Sequence, residues 1–163
     1  INSGLNAGIN VLYSGTVAAA IEGAVFGITS MAVSLEYTEH AHFDRAAELA
    51  IEVIRQVLEK KGPEPHLYNL NIPLAALDAA CELRIVPMGV ARYGESFERR
   101  VDPRGRNYYW ATNDPPPPPS EGETDLTALS KGHMTLTPLD FDMTRHDLLR
   151  EMRDWRLVAP AAK

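Results

Sequence analysis

Ile1-Asn2-Ser3-Gly4-Leu5-Asn6-Ala7-Gly8-Ile9-Asn10-Val11-Leu12-Tyr13-Ser14-Gly15-Thr16-Val17-Ala18-Ala19-Ala20 decides how the remainder of the chain is read. Gly4 and Gly8 permit backbone conformations closed to other residues, and Asn2, Asn6 and Asn10 supply side-chain amides, so residues 1–13 read as a loop. The alanines behind it favour a helix, with Ser14 or Thr16 at its N-cap and Gly23 and Gly27 bracketing its end. A polar, glycine-rich loop that feeds directly into a helix start is a recurrent anion-binding arrangement.

Downstream of this segment, Ile28 to Leu35 reads as a short buried strand. Asp44 is placed to cap a second helix. Its apolar face is Ala46, Ala50, Val53, Ile54, Val57 and Leu58; Lys60 and Lys61 suit its C-terminal dipole, and Gly62-Pro63 ends it. Leu67 to Ile72 alternates as a strand up to Pro73, and Leu83 to Val86 is another. Strands alternating with helices predict an α/β fold.

Beyond Pro87 the character changes. Tyr93 to Val101 and Asn107 to Trp110 flank the turn signal Asp102-Pro103-Arg104-Gly105 and read as a long hairpin. Its load of Tyr93, Phe97, Tyr108, Tyr109 and Trp110 predicts packing on a second subunit. Pro115 to Pro119 predicts a stiff extended loop. Asp125 to Ser130 reads as a helical turn, and Gly132 to Leu139 alternates. Thr144 to Asp147 resembles a capping box for a closing helix with an apolar face of Leu148, Leu149, Met152 and Trp155. The resulting division is an α/β core over 1–87, a hairpin and proline-rich oligomerisation region over 88–139, and a C-terminal helix over 140–163.

With 45% hydrophobic residues in 163, the chain can bury a core, which excludes wholesale disorder. No apolar run reaches the ~18 residues of a membrane span. A net charge of −6 argues against nucleic-acid polymers as partners but not against a small phosphorylated ligand. The single cysteine, Cys81, has no internal disulfide partner, and a reducing, cytoplasmic setting is expected. The chain opens on Ile rather than Met inside a dense polar loop, so an upstream part is expected.

Ser14, Gly15 and Thr16 would offer N–H and hydroxyl donors to a phosphate, and Gly15 would let it approach the backbone closely. Asn2 and Asn6 carry hard amide oxygens acceptable to Mg²⁺ or Mn²⁺ within a mixed site. A structural glycine-rich turn capped by Ser14 accounts for the same residues, because the spacing is neither a P-loop nor a dinucleotide fingerprint. His40-X-His42 lacks further ligands for a metal site. Ser14 as a nucleophile, with His133 or His146 as base, lacks the preceding glycine of a nucleophile elbow. Arg99, Arg100, Arg104 and Arg106 read as a solvated charged turn.

Taken together, these segments resemble the SurE family of metal-dependent phosphatases that act on nucleoside monophosphates. The resemblance rests on Ile1 to Gly8, Val11 to Ala20 with Glu22-Gly23, and Ala32-Val33-Ser34. It continues through Tyr68 to Pro73 (the family's "LNVNVP"), Asp102 to Gly105 with Tyr109-Trp110, Thr124-Asp125, Gly132, and Thr135 to Leu139. It implies a Rossmann-like three-layer sandwich, of which this chain is the C-terminal part, with a protruding β-hairpin and a C-terminal helix exchanged between subunits. It implies hydrolysis of nucleoside 5′- or 3′-monophosphates with Mg²⁺ or Mn²⁺, by a homodimer or homotetramer. Carried over by position, Asn2 falls on a metal-coordinating asparagine, Asn6, Ser14 and Thr16 on catalytic positions, and Ser14, Gly15 and Thr16 on the phosphate-binding turn. Asp142 and His146 fall on a structural segment. Asn10 departs from the family's usual Asp. The family's paired aspartates and a serine ligand lie far upstream and have no counterpart here, so about the first third of the family's length is expected to be missing. The alternative is a non-catalytic oligomerisation or phosphate-binding fragment.

Overall fold

A computed structural model describes residues 1–90, 95–113 and 122–160. Tyr93 and Pro115 to Pro119 lie outside the described residues. In chain order the elements are β1 (Asn2–Ser3), a 3-10 helix (Gly8–Tyr13), α1 (Gly15–Val25), β2 (Ser30–Leu35) and α2 (Phe43–Lys60). They continue with β3 (Leu67–Ile72), α3 (Ala75–Asp78), β4 (Leu83–Ile85), β5 (Glu95–Val101) and β6 (Asn107–Asn113), then α4 (Asp125–Leu129), β7 (Met134–Leu139) and α5 (His146–Arg153).

Five strands form one mixed sheet in the order β1-β2-β3-β7-β4. The first three run parallel, β7 is antiparallel to β3, and β4 is parallel to β7. The fold is thus α/β, with helices on both faces. Alternation along the strands divides their side chains. Leu35, Leu70, Ile72 and Leu136 face Ala46, Ala50 and Val53 of α2 in one core. Ala32 and Leu67 face Val17, Ala20 and Ala24 of α1 in the other. The small side chains of α1 allow close approach to the sheet, and a Cβ at Gly23 would collide with Ser30 Oγ.

Several local expectations are corrected. The opening thirteen residues are not all loop: Asn2 and Ser3 pair with Ser34 and Leu35, and Gly8–Tyr13 forms the 3-10 helix. A two-residue strand has no signal of its own, because it exists only through its partner. Helix α2 starts one residue before Asp44; His42 is its N-cap and Asp44 sits in the first turn, where its charge still suits the dipole. Leu58, assigned to the buried face, is exposed, off the stripe that Val53 and Val57 lay against the core. Thr144 does not cap α5, whose N-cap is Arg145 without a side-chain cap bond. A capping box does occur at α4, where Thr124 and Thr127 exchange hydrogen bonds.

The hairpin β5-β6 pairs in continuous register from Glu95↔Asn113 to Val101↔Asn107 as a separate two-stranded sheet. Asp102 organises its turn by accepting the N–H groups of Arg104 and Arg106, each at 2.8 Å. Segment 88–139, grouped above with the hairpin, contributes its last strand, β7, to the main sheet. Helix α5 buries none of its residues against the described chain. Its start is tied by His146 Nε2 and Asp142 Oδ2, 2.8 Å apart. Asp142 is held below its ordinary 3.8, at about 2, first by the Thr144 hydroxyl, then by the Thr144 N–H and His146.

Core and surface positions give a direct contrast in chemical denaturation. Leu70→Ala should cost about 2–5 kcal/mol of stability, whereas Leu58→Lys should stay within about 0.5 kcal/mol of the unsubstituted chain. The depressed Asp142 carboxyl makes a second, signed prediction. Its contribution to ordering α5 is present above the unfolded value of 3.8 and is lost as pH falls toward about 2. The His146 ring NMR signals should therefore shift in that window, and Asp142→Asn should leave only the smaller shift that the neighbouring Asp147 carboxyl, itself lowered by Arg145, produces.

Candidate functional site

Where β1 ends at Ser3, the chain turns out over the carboxyl ends of the parallel strands. In open α/β sheets this is the edge where ligands bind. Gly4, at φ +103°, makes the turn, and its N–H donates to Leu35 O at 2.7 Å. The following loop is held on a polar strip of the sheet.

That strip consists of Ser34, Asn69, Asn71, Thr135 and Thr137, all buried. They lie at alternate strand positions, with Asn69 opposite Thr137 and Asn71 opposite Thr135. Asn71 Oδ1 accepts the Asn6 N–H at 2.9 Å, while Asn71 Nδ2 and Asn69 Nδ2 donate to the Asn6 carbonyl at 3.0 and 2.7 Å. The Asn6 side chain donates from Nδ2 to Ser34 Oγ at 2.7 Å. Asn6 is therefore fixed through both its backbone and its side chain. Asn69 Oδ1 and the hydroxyls of Thr135 and Thr137 complete the strip without protein partners. Two residues on, Gly8 N–H donates to Asp125 Oδ2 at 2.7 Å.

The loop then delivers the start of α1. Ser14 is its N-cap and its Oγ accepts the Val17 N–H at 3.2 Å. Ala18 N–H is taken by the Ser14 carbonyl at 2.9 Å. The N–H groups of Gly15 and Thr16 have no acceptor within a helix that begins here, and the helix dipole adds positive potential. Gly15 is exposed, and a Cβ built on it meets nothing within 4 Å. No steric need of the chain itself therefore demands glycine there. Residues 1–27 contain no Lys or Arg, so this segment offers an anion only uncharged side-chain and backbone donors.

Asn2 and Thr16 line one open cavity of about 740 Å³, which runs along the side of β2 between α1 and α2. Asn2 Nδ2 donates to Gly4 O at 2.8 Å, leaving Oδ1 as the atom for a cation. A single neutral amide oxygen does not by itself fit a divalent cation, which takes most of its affinity from carboxylates. Among the described residues, no group of three or more His, Cys, Asp or Glu is placed to hold a metal. The structure thus brings Asn2, Ser14, Gly15 and Thr16 to one edge, and turns Asn6 onto the sheet beneath them.

Asn69, Asn71 and Asp125 shape this site, yet in sequence they stand only as parts of motifs. A physical signal was available: asparagine at every second position of an otherwise apolar buried strand marks a polar strip under something that needs hydrogen bonds.

Known proteins place this arrangement. The family model described as "Survival protein SurE" matches residues 1–95. The chain is 56% identical over 157 residues to "5'-nucleotidase SurE" of Rhodopirellula baltica, covering 96% of this chain and 62% of that protein. It is 37% identical over 158 residues to the protein of the same name from Symbiobacterium thermophilum, covering 97% and 62%. The crystal structure of the SurE protein from Aquifex aeolicus superimposes with a TM-score of 0.83 at 30% identity, over 95% of this chain and 62% of that one. The chain thus spans about 62% of the length of these relatives. A glycine-rich loop clamped to a polar sheet face at the head of α1, carried on this mixed sheet, goes with a match over more than half of the chain: it belongs to the SurE family.

Proposed function

We propose that the whole protein is a phosphatase that hydrolyses nucleoside 5′- or 3′-monophosphates, and that this chain supplies its phosphate-binding turn. The observation that carries the proposal is the open space over Gly15 at a helix start whose first N–H groups are unpaired within the helix. The relatives named 5'-nucleotidase agree with this reading.

In this reading the phosphoryl oxygens lie over the N–H groups of Gly15 and Thr16. The Ser14 hydroxyl accepts the Val17 N–H through a lone pair and keeps its own proton to donate to the phosphate. The Thr16 hydroxyl adds a further donor from the cavity side. Donors fixed before the substrate arrives stabilise charge on those oxygens without reorganisation. Asn6, held on the sheet, sets the path of the loop and hence the position of the turn. Mg²⁺ or Mn²⁺ is proposed as cofactor of the whole protein, with Asn2 Oδ1 as this chain's contribution and the remaining ligands from the part of the family's length it does not span.

Self-association through the hairpin and α5 belongs to the same reading. Phe97, Tyr109 and Trp110 of the hairpin and Trp155 after α5 are each at least half exposed. A cytoplasmic setting is proposed from the single free cysteine, Cys81. Among the described residues, no helix is long and apolar enough to cross a membrane.

Phosphate release from a panel of nucleoside monophosphates by the whole protein, with Mn²⁺ and with EDTA, tests the proposal. Release that needs the metal is expected. Inorganic phosphate binding without any hydrolysis by a folded protein would favour the second reading, a non-catalytic phosphate-binding fragment, for which the lone Asn2 donor speaks. Gly15→Ala provides a sharper test. Alanine suits a helix better than glycine, so the melting temperature should hold or rise. A methyl in the phosphate's place should lower kcat/KM by about tenfold or more.

A further inference from the structure

The one fully buried carboxylate among the described residues is left unused by this reading. Asp125 is 0% exposed at the start of α4. It forms no ion pair with any described cation. Instead it accepts three backbone N–H groups from three separate segments. Oδ2 takes Gly8 of the site loop at 2.7 Å. Oδ1 takes Gly89, after β4, at 2.8 Å and Leu126 of α4 at 2.8 Å.

The joint is close-packed as well as bonded. A Cβ on Gly8 would lie 2.8 Å from Leu126 Cδ1 and 3.1 Å from the Gly89 carbonyl, and Gly8 sits at φ +59°. A Cβ on Gly89 would lie 3.0 Å from Leu126 Cδ1 and 3.2 Å from Asp125 Oδ1. Two glycines and one carboxylate therefore meet with no room to spare. The chemistry selects the carboxylate: three donors converge on two atoms, and both atoms must accept. An asparagine offers one accepting oxygen and sets an NH₂ against the other donor.

We propose that Asp125 is a positioning residue of the phosphate-binding turn. Its Oδ2 fixes the beginning of the 3-10 helix that ends at Tyr13, and so sets where Ser14, Gly15 and Thr16 stand relative to Asn2. Its Oδ1 ties that point to α4 and to the segment after β4, so the turn is referenced to the far side of the sheet and not only to Asn6. The inference rests on the phosphate-binding reading of the turn.

Amide hydrogen exchange on the full chain, with and without inorganic phosphate, tests it. In the unsubstituted chain, phosphate should slow exchange at Gly15, Thr16 and Gly8 together, because coupling between the turn and the clamp is reciprocal. Asp125→Asn should keep the oxygen on Gly89 and Leu126 and turn its NH₂ toward Gly8. Gly8 exchange should then rise by about tenfold or more while the Gly89 and Leu126 amides hold, and phosphate affinity should fall by about tenfold. Slowing at Gly15 and Thr16 without slowing at Gly8 would overturn the positioning role alone, and it does so even where Asp125→Asn fails to fold. Slowing at none of the three would remove the phosphate-binding reading and this inference with it. Loss of protection at Gly8, Gly89 and core amides together in Asp125→Asn, with phosphate affinity unchanged, would make the residue purely structural.

Discussion

The backbone of Asn6 hangs from two buried side chains, and the site follows from that grip. Asn69 and Asn71 sit in the middle of a sheet, where an unpaired amide would cost on the order of 1–3 kcal/mol. Three of their polar atoms are matched to the N–H and C=O of one loop residue. The loop has little regular structure with which to satisfy its own backbone, and the strip would be costly to bury without the loop. Each therefore stabilises the other. Once Asn6 is fixed, Gly8 comes within reach of Asp125, and the 3-10 helix leads into the Ser14 cap at the sheet edge that Asn2 and Thr16 also occupy.

This division of labour explains why the two faces of the sheet differ. The face under α2 is apolar, and Leu35, Leu70 and Ile72 on it are fully buried. The face under the loop is apolar only where α1 crosses it, at Ala32 and Leu67, and polar toward the carboxyl ends of the strands. In the proposed reading, an acidic chain with no Lys or Arg in residues 1–27 binds an anion in this way. This chain's share of the positive potential is then that of N–H dipoles at the start of α1, which act only if a rigid anchor fixes them.

Much of the fold was legible because local signals agreed with it. Ser14 or Thr16 before an alanine run marked the α1 cap, which Ser14 takes, the spacing of Ala46, Ala50 and Val53 marked the core face of α2, and Leu67 to Ile72 read as a strand. Apart from the helix caps at Asp44 and Thr144, where a capping residue type stands one or two positions off the helix start, the misses arise where the information lay in a partner. β1 is a strand only because Ser34 and Leu35 stand beside it. Leu58 follows Val57, which packs on the core, yet is itself exposed, because the core meets a narrower face of α2 than the spacing suggests. The roles of Asn71 and Asp125 depend on contacts with residues 65 and 117 positions away. The donors at Ser14 to Thr16 were readable from sequence; the supports that aim them were visible only as asparagines and an aspartate in otherwise unremarked motifs.

The sheet's grip on the loop is read most directly from the exchange rate of the Asn6 amide against that of Leu70 in the core of β3. If the sheet holds the loop through Asn71, the two amides should open with free energies within about 1 kcal/mol of each other, both near the global value. An Asn6 amide that exchanges as freely as a frayed terminus, while Leu70 remains protected, would show that Asn69 and Asn71 do not anchor the loop.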